Sequence, residues 1–208
     1  MTDTLPTRDA IGSQADAGRA SPNAPAPAGL RHALDAIDAL GWIGGWVAAL
    51  SLMTLALLIL GEVCVRLLSR YISALPPGIP SAWEISSFLM GTAFMCGAAV
   101  TLRAGGHIRV SVLTSTVPAS VLRVLEIVVS FVGLALTAFL AYSMVMFALS
   151  SFMRGQTSIS SDIPLWFPKA VLAVGAIILA LQMLARLVHA LLGLPLEDPR
   201  MRPKAPGN

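Results

Sequence analysis

Long uninterrupted hydrophobic runs dominate this sequence. A bilayer core about 30 Å thick is crossed by about 20 helical residues at 1.5 Å each. Four segments reach about this length with few or no charges, and they predict transmembrane helices at about residues 41–61, 83–102, 127–150 and 168–192. The pattern therefore predicts an all-α membrane domain over residues 30–194, followed by a cytoplasmic tail at residues 195–208.

A weaker pattern precedes the first of these segments. Apolar residues recur there on one helical face and charged residues fall largely on the others, namely Leu30, Leu34, Ile37 and Leu40 against Arg31, Asp35 and Asp38. Two structures fit this pattern, a short amphipathic helix lying in the membrane interface or a soluble extension of the first transmembrane helix. Residues 1–29 are rich in Pro, Ala and Ser, and we expect a disordered cytoplasmic tail because such a segment buries too little apolar surface to fold.

Composition supports a membrane protein and excludes several other classes. The chain is 56% hydrophobic and 12% charged, whereas soluble domains are about 25% charged. A net charge of +3 without basic residues interleaved with aromatic ones argues against a nucleic-acid partner. Ten of the 14 basic residues fall on the side of the N-terminus if that terminus is cytoplasmic. Since basic residues favour cytoplasmic loops, the sequence predicts that both termini are inside.

Catalytic and cofactor chemistry is sparse. The sequence contains no GxSxG, HExxH or phosphate-binding motif. The three histidines, at positions 32, 107 and 189, do not pair at helical spacing within a predicted span, which disfavours a haem with two axial histidines. Cys64 and Cys96 are expected to be small packing residues. We therefore expect neither an enzyme nor a bound cofactor.

A few polar residues at or inside the predicted spans are candidates for tying helices together. Glu84 opens the second span, where the helix dipole favours a carboxylate, and it is also placed to form an ion pair with Arg66 at the end of the first span. Glu62 lies four residues before Arg66 and is a second candidate partner. Gln182 is expected to form a hydrogen bond between helices. Lys169 is expected to extend its ammonium towards the membrane interface.

Two loop motifs, together with the order of the spans, resemble the small permease subunit of the tripartite ATP-independent periplasmic (TRAP) transporters. In that family an acid opens the second span, a helix rich in small residues follows, and a segment close to R-x-G-x-H-I-x-V-D ends it. Here the acid is Glu84, and the final segment is Arg103 to Val110, with Ser111 in place of the family's Asp. The second match, G-Q-T-S followed by I-P and an aromatic residue, spans residues 155–166.

The resemblance implies a multi-pass subunit of the bacterial inner membrane. In this family a large membrane subunit carries the substrate and sodium sites, a periplasmic substrate-binding protein delivers an organic acid such as a carboxylate or acidic sugar, and the small subunit is a scaffold. In the predicted topology the loop after the second span is a cytoplasmic motif, whose basic residues face the cytoplasm and anionic lipid headgroups; its members are Arg103, Gly106, His107, Ile108 and Arg109. The outer loops are a candidate docking surface for the binding protein, through Arg70, Arg154, Gln156, Thr157, Ser158 and Asp162.

A second function remains open at this point. A self-sufficient small transporter or exporter, assembled as an oligomer, would use Glu84 or Glu62 as a proton-coupled cation site. Both carboxylates lie at the ends of predicted spans, whereas coupling carboxylates usually lie deeper in the membrane. The pattern therefore favours the scaffold.

The predicted orientation has a direct test. A reporter enzyme that is active only in the cytoplasm, fused after Asn208, is expected to be active, because the basic residues place the C-terminus inside. A matched fusion of a reporter that is active only in the periplasm is expected to be silent. The opposite pair of results would overturn this topology.

Overall fold

The computed structural model describes residues 23–72, 76–79, 81–104, 118–158 and 163–195. It contains four helices, α1 (Ala28–Leu68), α2 (Ala82–Arg103), α3 (Ala119–Met153) and α4 (Trp166–Leu192). All four are long and apolar enough to cross a membrane. The predicted all-α fold with four transmembrane helices is confirmed.

Helix α1 is continuous over 41 residues, or about 60 Å at 1.5 Å per residue. The segment before the first span is therefore an extension of α1 and not a separate interfacial helix. Its buried face also differs from the predicted one. Leu34 and Asp38, one turn apart, are 2% and 5% exposed, whereas Leu40 is 41% exposed. The apolar pattern placed Asp38 on the polar face because it could not reveal a buried partner for this carboxylate.

Three of the helices form a compact core, with the fourth at its edge. Helices α1, α2 and α4 contact one another, and α3 packs mainly on α4. Within residues 121–153 of α3, the fully buried positions are Ser130, Ala141 and Ser151, the half-buried positions include those that pack on α4, and the exposed positions are left to face lipid or a partner. In a membrane such a surface is stable because lipid tails solvate apolar side chains as well as a protein core does.

Small residues bring the core helices close together. Ala99 and Ala176 are fully buried, at 0% exposure, and Cys96 is 4% exposed. Gly175 of α4 faces α2 so closely that an added Cβ atom would lie 2.9 Å from the Cβ atom of Met95. Close backbone approach of this kind supplies the van der Waals contacts that drive helix association in lipid.

Among the described residues, the buried or half-buried side chains with charged, amide or imidazole groups are confined to the two ends of the bundle, apart from Gln182. One set, which we call the Arg103 layer, comprises Asn23, Asp38, Arg103 and His189. The other, the Glu84 layer, comprises Glu62, Glu84, Ser151, Gln156, Ser158 and Lys169. A rise of 1.5 Å per residue separates Glu84 from Arg103 by about 28 Å along α2, and Lys169 from His189 by about 30 Å along α4. These spacings match the thickness of a bilayer's hydrocarbon core.

Candidate functional site

A buried ion pair joins α1 and α2 in the Arg103 layer. Arg103 Nε lies 2.9 Å from Asp38 Oδ1, and Arg103 Nη2 donates a hydrogen bond to Asp38 Oδ2 at 3.0 Å. The Nε approach is a charge contact, since its angle does not satisfy a hydrogen bond. The two residues are only 2% and 5% exposed. Their attraction is therefore poorly screened by water.

His189 extends this pair to α4. Its Nε2 atom lies 3.3 Å from Arg103 Nη2, and its Nδ1 atom lies 2.6 Å from the carbonyl oxygen of Pro195. A carbonyl only accepts and a guanidinium only donates. His189 therefore donates from Nδ1 to the segment after α4, and the neutral tautomer turns the lone pair of its Nε2 atom towards Arg103, whose two Nη2 hydrogens are shared among Asp38, Asn23 and His189.

Asn23 completes the Arg103 layer from outside the helices. Its side chain is 0% exposed. Arg103 Nη2 donates to Asn23 Oδ1 at 2.9 Å. Asn23 Nδ2 in turn donates to Asp35 Oδ1 at 2.8 Å and to Asp38 Oδ2 at 2.9 Å. A residue assigned from its sequence to a disordered tail is thus part of the buried network.

The position of Arg103 corrects an expectation. Arg103 was predicted to face the cytoplasm and lipid headgroups, but it is buried because Asp38, Asn23 and His189 surround its guanidinium. The rest of the predicted cytoplasmic motif, Gly106, His107, Ile108 and Arg109, lies outside the described residues. No signal in the sequence pointed to this network, because the apolar periodicity placed Asp38 on the polar face of α1.

Two further contacts hold helices together away from these charges. Gln182, 1% exposed, donates from Nε2 to the carbonyl oxygen of Ile37 at 2.7 Å and so joins α4 to α1. An added Cβ atom at Gly41 would collide with that Nε2 atom, so a larger residue there would have to move the Gln182 amide away from its hydrogen bond. Arg123 of α3 donates from Nη2 to the carbonyl oxygen of Leu191 at 2.9 Å, which ties α3 to the end of α4.

In the Glu84 layer, the carboxylate partner of Arg66 is Glu62 of its own helix. Arg66 Nη2 lies 2.7 Å from Glu62 Oε1. Glu62 Oε2 accepts from the backbone N–H of Ile79 at 2.6 Å, which anchors the loop that leads into α2. The expected Arg66–Glu84 pair is not formed. Glu62 lies one turn from Arg66 on the same helix face, so it reaches the guanidinium without spanning the gap between helices.

Glu84 instead holds the loop between α3 and α4. Its Oε2 atom accepts a hydrogen bond from Ser158 Oγ. The loop is folded on itself, because the backbone N–H of Ser158 donates to the carbonyl of Ile163 at 2.9 Å and that of Leu165 to the carbonyl of Gln156 at 2.9 Å. Glu84 therefore fixes this loop against the first turn of α2.

Lys169 is buried instead of extending to the interface. It is 8% exposed, and its Nζ atom donates to Ser151 Oγ and to Gln156 Oε1, the latter at 3.1 Å. It also lies 4.0 Å from the centre of the Phe147 ring, a favourable cation–π position. These neutral acceptors satisfy the ammonium inside the protein, so it has no need to reach water.

The candidate docking residues divide into two groups. Arg70, Arg154 and Thr157 are exposed, whereas Gln156 is half-buried and Ser158 is buried. Since Gln156 and Ser158 bond to Lys169 and Glu84, they shape the loop from within. Asp162 lies outside the described residues.

An apolar cavity of about 390 Å³ lies between α1, α2 and α4. Phe88, Leu89 and Val171 line it, and Glu84 with Ser158 lies on its wall. Among the described residues, no group of three or more His, Cys, Asp or Glu side chains is placed to hold a metal ion. The arrangement of polar groups within the described bundle is one that connects helices to each other and to their loops.

Comparison with known proteins gives one informative match. Residues 59–193 match the family described as "Tripartite ATP-independent periplasmic transporters, DctQ component". No curated protein and no solved structure matches the chain. The matched range contains Glu62, Glu84, Arg103 and His189, whereas Asp38 and Asn23 precede it.

The buried ion pair gives a testable prediction. Asp38→Leu leaves Arg103 without its countercharge in a dry site, and it is expected to lower the free energy of unfolding by about 3–5 kcal/mol. The double variant Asp38→Leu/Arg103→Met removes both charges and is expected to recover most of that loss. Denaturant unfolding in detergent micelles measures both values.

A matched control comes from an exposed ion pair at the other end of the bundle. Arg66 is 69% exposed in its pair with Glu62, so Arg66→Met is expected to change the free energy of unfolding by less than about 1 kcal/mol. A double variant as unstable as Asp38→Leu alone would contradict the unpaired-charge explanation.

Proposed function

The chain belongs to the DctQ family of tripartite ATP-independent periplasmic transporter components, and from this premise we propose that it is the small membrane subunit that scaffolds a large transport subunit. This family is one of transporter components and not of enzymes. We propose more specifically that the complete transporter takes up an organic acid, either a carboxylate or an acidic sugar, across the bacterial inner membrane. Sodium drives this uptake, and a periplasmic substrate-binding protein delivers the acid.

The observation that carries the scaffold proposal is the placement of buried charge. Among the described residues, the buried charged side chains are Asp38, Arg103 and Lys169, and all three lie in the two end layers. Between these layers the core helices meet through small residues such as Ala99, Ala176 and Gly175. A bundle tied at both ends, with α2 and α4 in close contact between them, suits a stationary support better than a moving transport path.

The alternative, a self-sufficient small transporter using Glu84 or Glu62, has less support. Both carboxylates lie in the same layer, and each is bonded to a loop, Glu62 to Ile79 and Glu84 to Ser158. Coupling carboxylates are typically placed along a pathway inside the membrane. These two acids instead connect helix ends to loops.

Reconstitution tests the scaffold proposal. Proteoliposomes that contain this chain alone are expected to take up no organic acid, and uptake is expected only when a large membrane subunit and a binding protein are added. The chain is also expected to co-purify with the large subunit from detergent. Uptake by the chain alone, in a sodium or proton gradient, would contradict the scaffold and favour the alternative.

We further propose that the exposed residues Arg70, Arg154 and Thr157 contribute to the docking surface for the binding protein. Charge reversal at Arg70 and Arg154 is expected to raise the half-saturating concentration of binding protein by about tenfold, because rim charges act mainly on encounter rates. Excess binding protein is expected to restore the maximal uptake.

The control is Arg31→Gln, which removes a cation that is 52% exposed at the opposite end of the bundle without placing a negative charge beside Asp35. It is expected to leave the half-saturating concentration unchanged. Unchanged uptake in the Arg70/Arg154 variant of a correctly assembled complex would show that these loops are connectors only.

A further inference from the structure

The charges around Asn23 set an unusual requirement for whatever occupies its position. Arg103 offers only donors on one side, and the carboxylates of Asp35 and Asp38 offer only acceptors on the other. His189 is neutral and already turns its Nε2 lone pair towards Arg103. A group that fits between them must accept from a cation and donate to two anions at the same time.

A primary carboxamide meets this requirement, because its oxygen only accepts and its nitrogen carries two donors. Asn23 is oriented in this way, with Oδ1 towards Arg103 and Nδ2 towards Asp35 and Asp38. The flipped amide would place N–H groups against the guanidinium. A carboxylate of the same shape would instead place a third negative charge beside Asp35 and Asp38.

The chain delivers this carboxamide through a short turn, residues 23–27, which we call the N-terminal strap. The carbonyl of Asn23 accepts from the N–H of Ala26 at 3.0 Å, and the carbonyl of Pro27 accepts from the N–H of Arg31 at 2.9 Å in the first turn of α1. Ala24, Pro25 and Pro27 are exposed. One buried side chain, that of Asn23, therefore anchors the strap.

We propose that the Arg103 layer is a carboxamide-binding site, that its ligand is Asn23 of the chain's own N-terminal strap, and that this contact closes the end of the bundle over the Asp38–Arg103 pair. Closure excludes water from the pair, and the pair supplies the charges that hold the strap. The docked strap and the intact pair therefore depend on each other.

Selective labelling tests the docked state directly. The chain has two asparagines, Asn23 and Asn208, so a sample labelled with 15N on asparagine side chains gives two pairs of amide signals. The Asn208→Ser variant identifies the pair from Asn23. In detergent micelles or nanodiscs, the Asn23 amide is expected to exchange with water at least about tenfold more slowly than that of Asn208. Equal exchange rates in the folded wild type would overturn the proposal.

Substitution of the ligand separates charge recognition from packing. In a Cys64→Ser background Cys96, which is 4% exposed, is the remaining thiol, so its labelling rate reports opening of the bundle. Asn23→Ala is expected to speed labelling by about tenfold, and Asn23→Asp by more than Asn23→Ala, because the isosteric carboxylate repels Asp35 and Asp38. Asn208→Asp, the same chemical change at the other asparagine, is expected to leave the rate unchanged.

The two variants of Asn23 give opposite rankings under the two explanations. If Asn23 acts only by filling space, Cys96 in the Asn23→Asp variant is labelled no faster than in the wild type and more slowly than in Asn23→Ala. That result would refute the carboxamide site. If Cys96 is labelled fastest in Asn23→Asp, and adding Asp35→Asn to that variant slows the labelling again, the charge requirement is established. Near-UV circular dichroism of each variant confirms that the rates are compared between folded proteins.

Discussion

The Asp38–Arg103 ion pair sets the geometry of one end of this bundle. Charges in a membrane protein are costly unless they find partners inside the protein. Asp38 can be buried on α1 only where α2 brings Arg103, and Arg103 in turn needs the acceptors of Asn23 and His189. This one pair therefore fixes how α1, α2, α4 and the strap meet. In some proteins a buried ion pair adds little net stability but selects one arrangement of the helices. We assign this selecting role to the Asp38–Arg103 pair.

Packing between the layers obeys a different constraint. Lipid tails solvate apolar side chains well, so association of helices depends on close contact and not on the hydrophobic effect. Gly175 and Gly41 allow contacts that an added Cβ atom would block, with Met95 and with Gln182 respectively. The polar layers at the two ends thus fix which helices meet, and the small residues between the layers fix how closely the helices approach.

Much of the fold followed from the sequence, because apolar length is a direct consequence of bilayer thickness. The predicted second and fourth spans, 83–102 and 168–192, agree closely with Ala82–Arg103 and Trp166–Leu192. The first and third helices are longer than predicted, mainly because each begins well before its apolar run, at Ala28 and at Ala119. Partners across helices could not be predicted. Asp38 and Arg103 lie 65 residues apart, and one-dimensional periodicity placed Asp38 on the solvent face. The predicted Arg66–Glu84 pair was wrong because Glu62, one turn away on the same helix, is a nearer partner for Arg66.

The edge position of α3 has a consequence for biosynthesis. Chains enter the membrane from the N-terminus as they are translated, so α1 and α2 can form their hairpin as soon as both are made. Helix α3 emerges next, but its main neighbour is α4, which has not yet been synthesised. Its insertion must therefore rest on its own apolar character, with a mean hydropathy of 2.3 in its most apolar window. The arrival of α4, which contacts α1, α2 and α3, is then the step that turns a hairpin and a solitary helix into one assembled subunit.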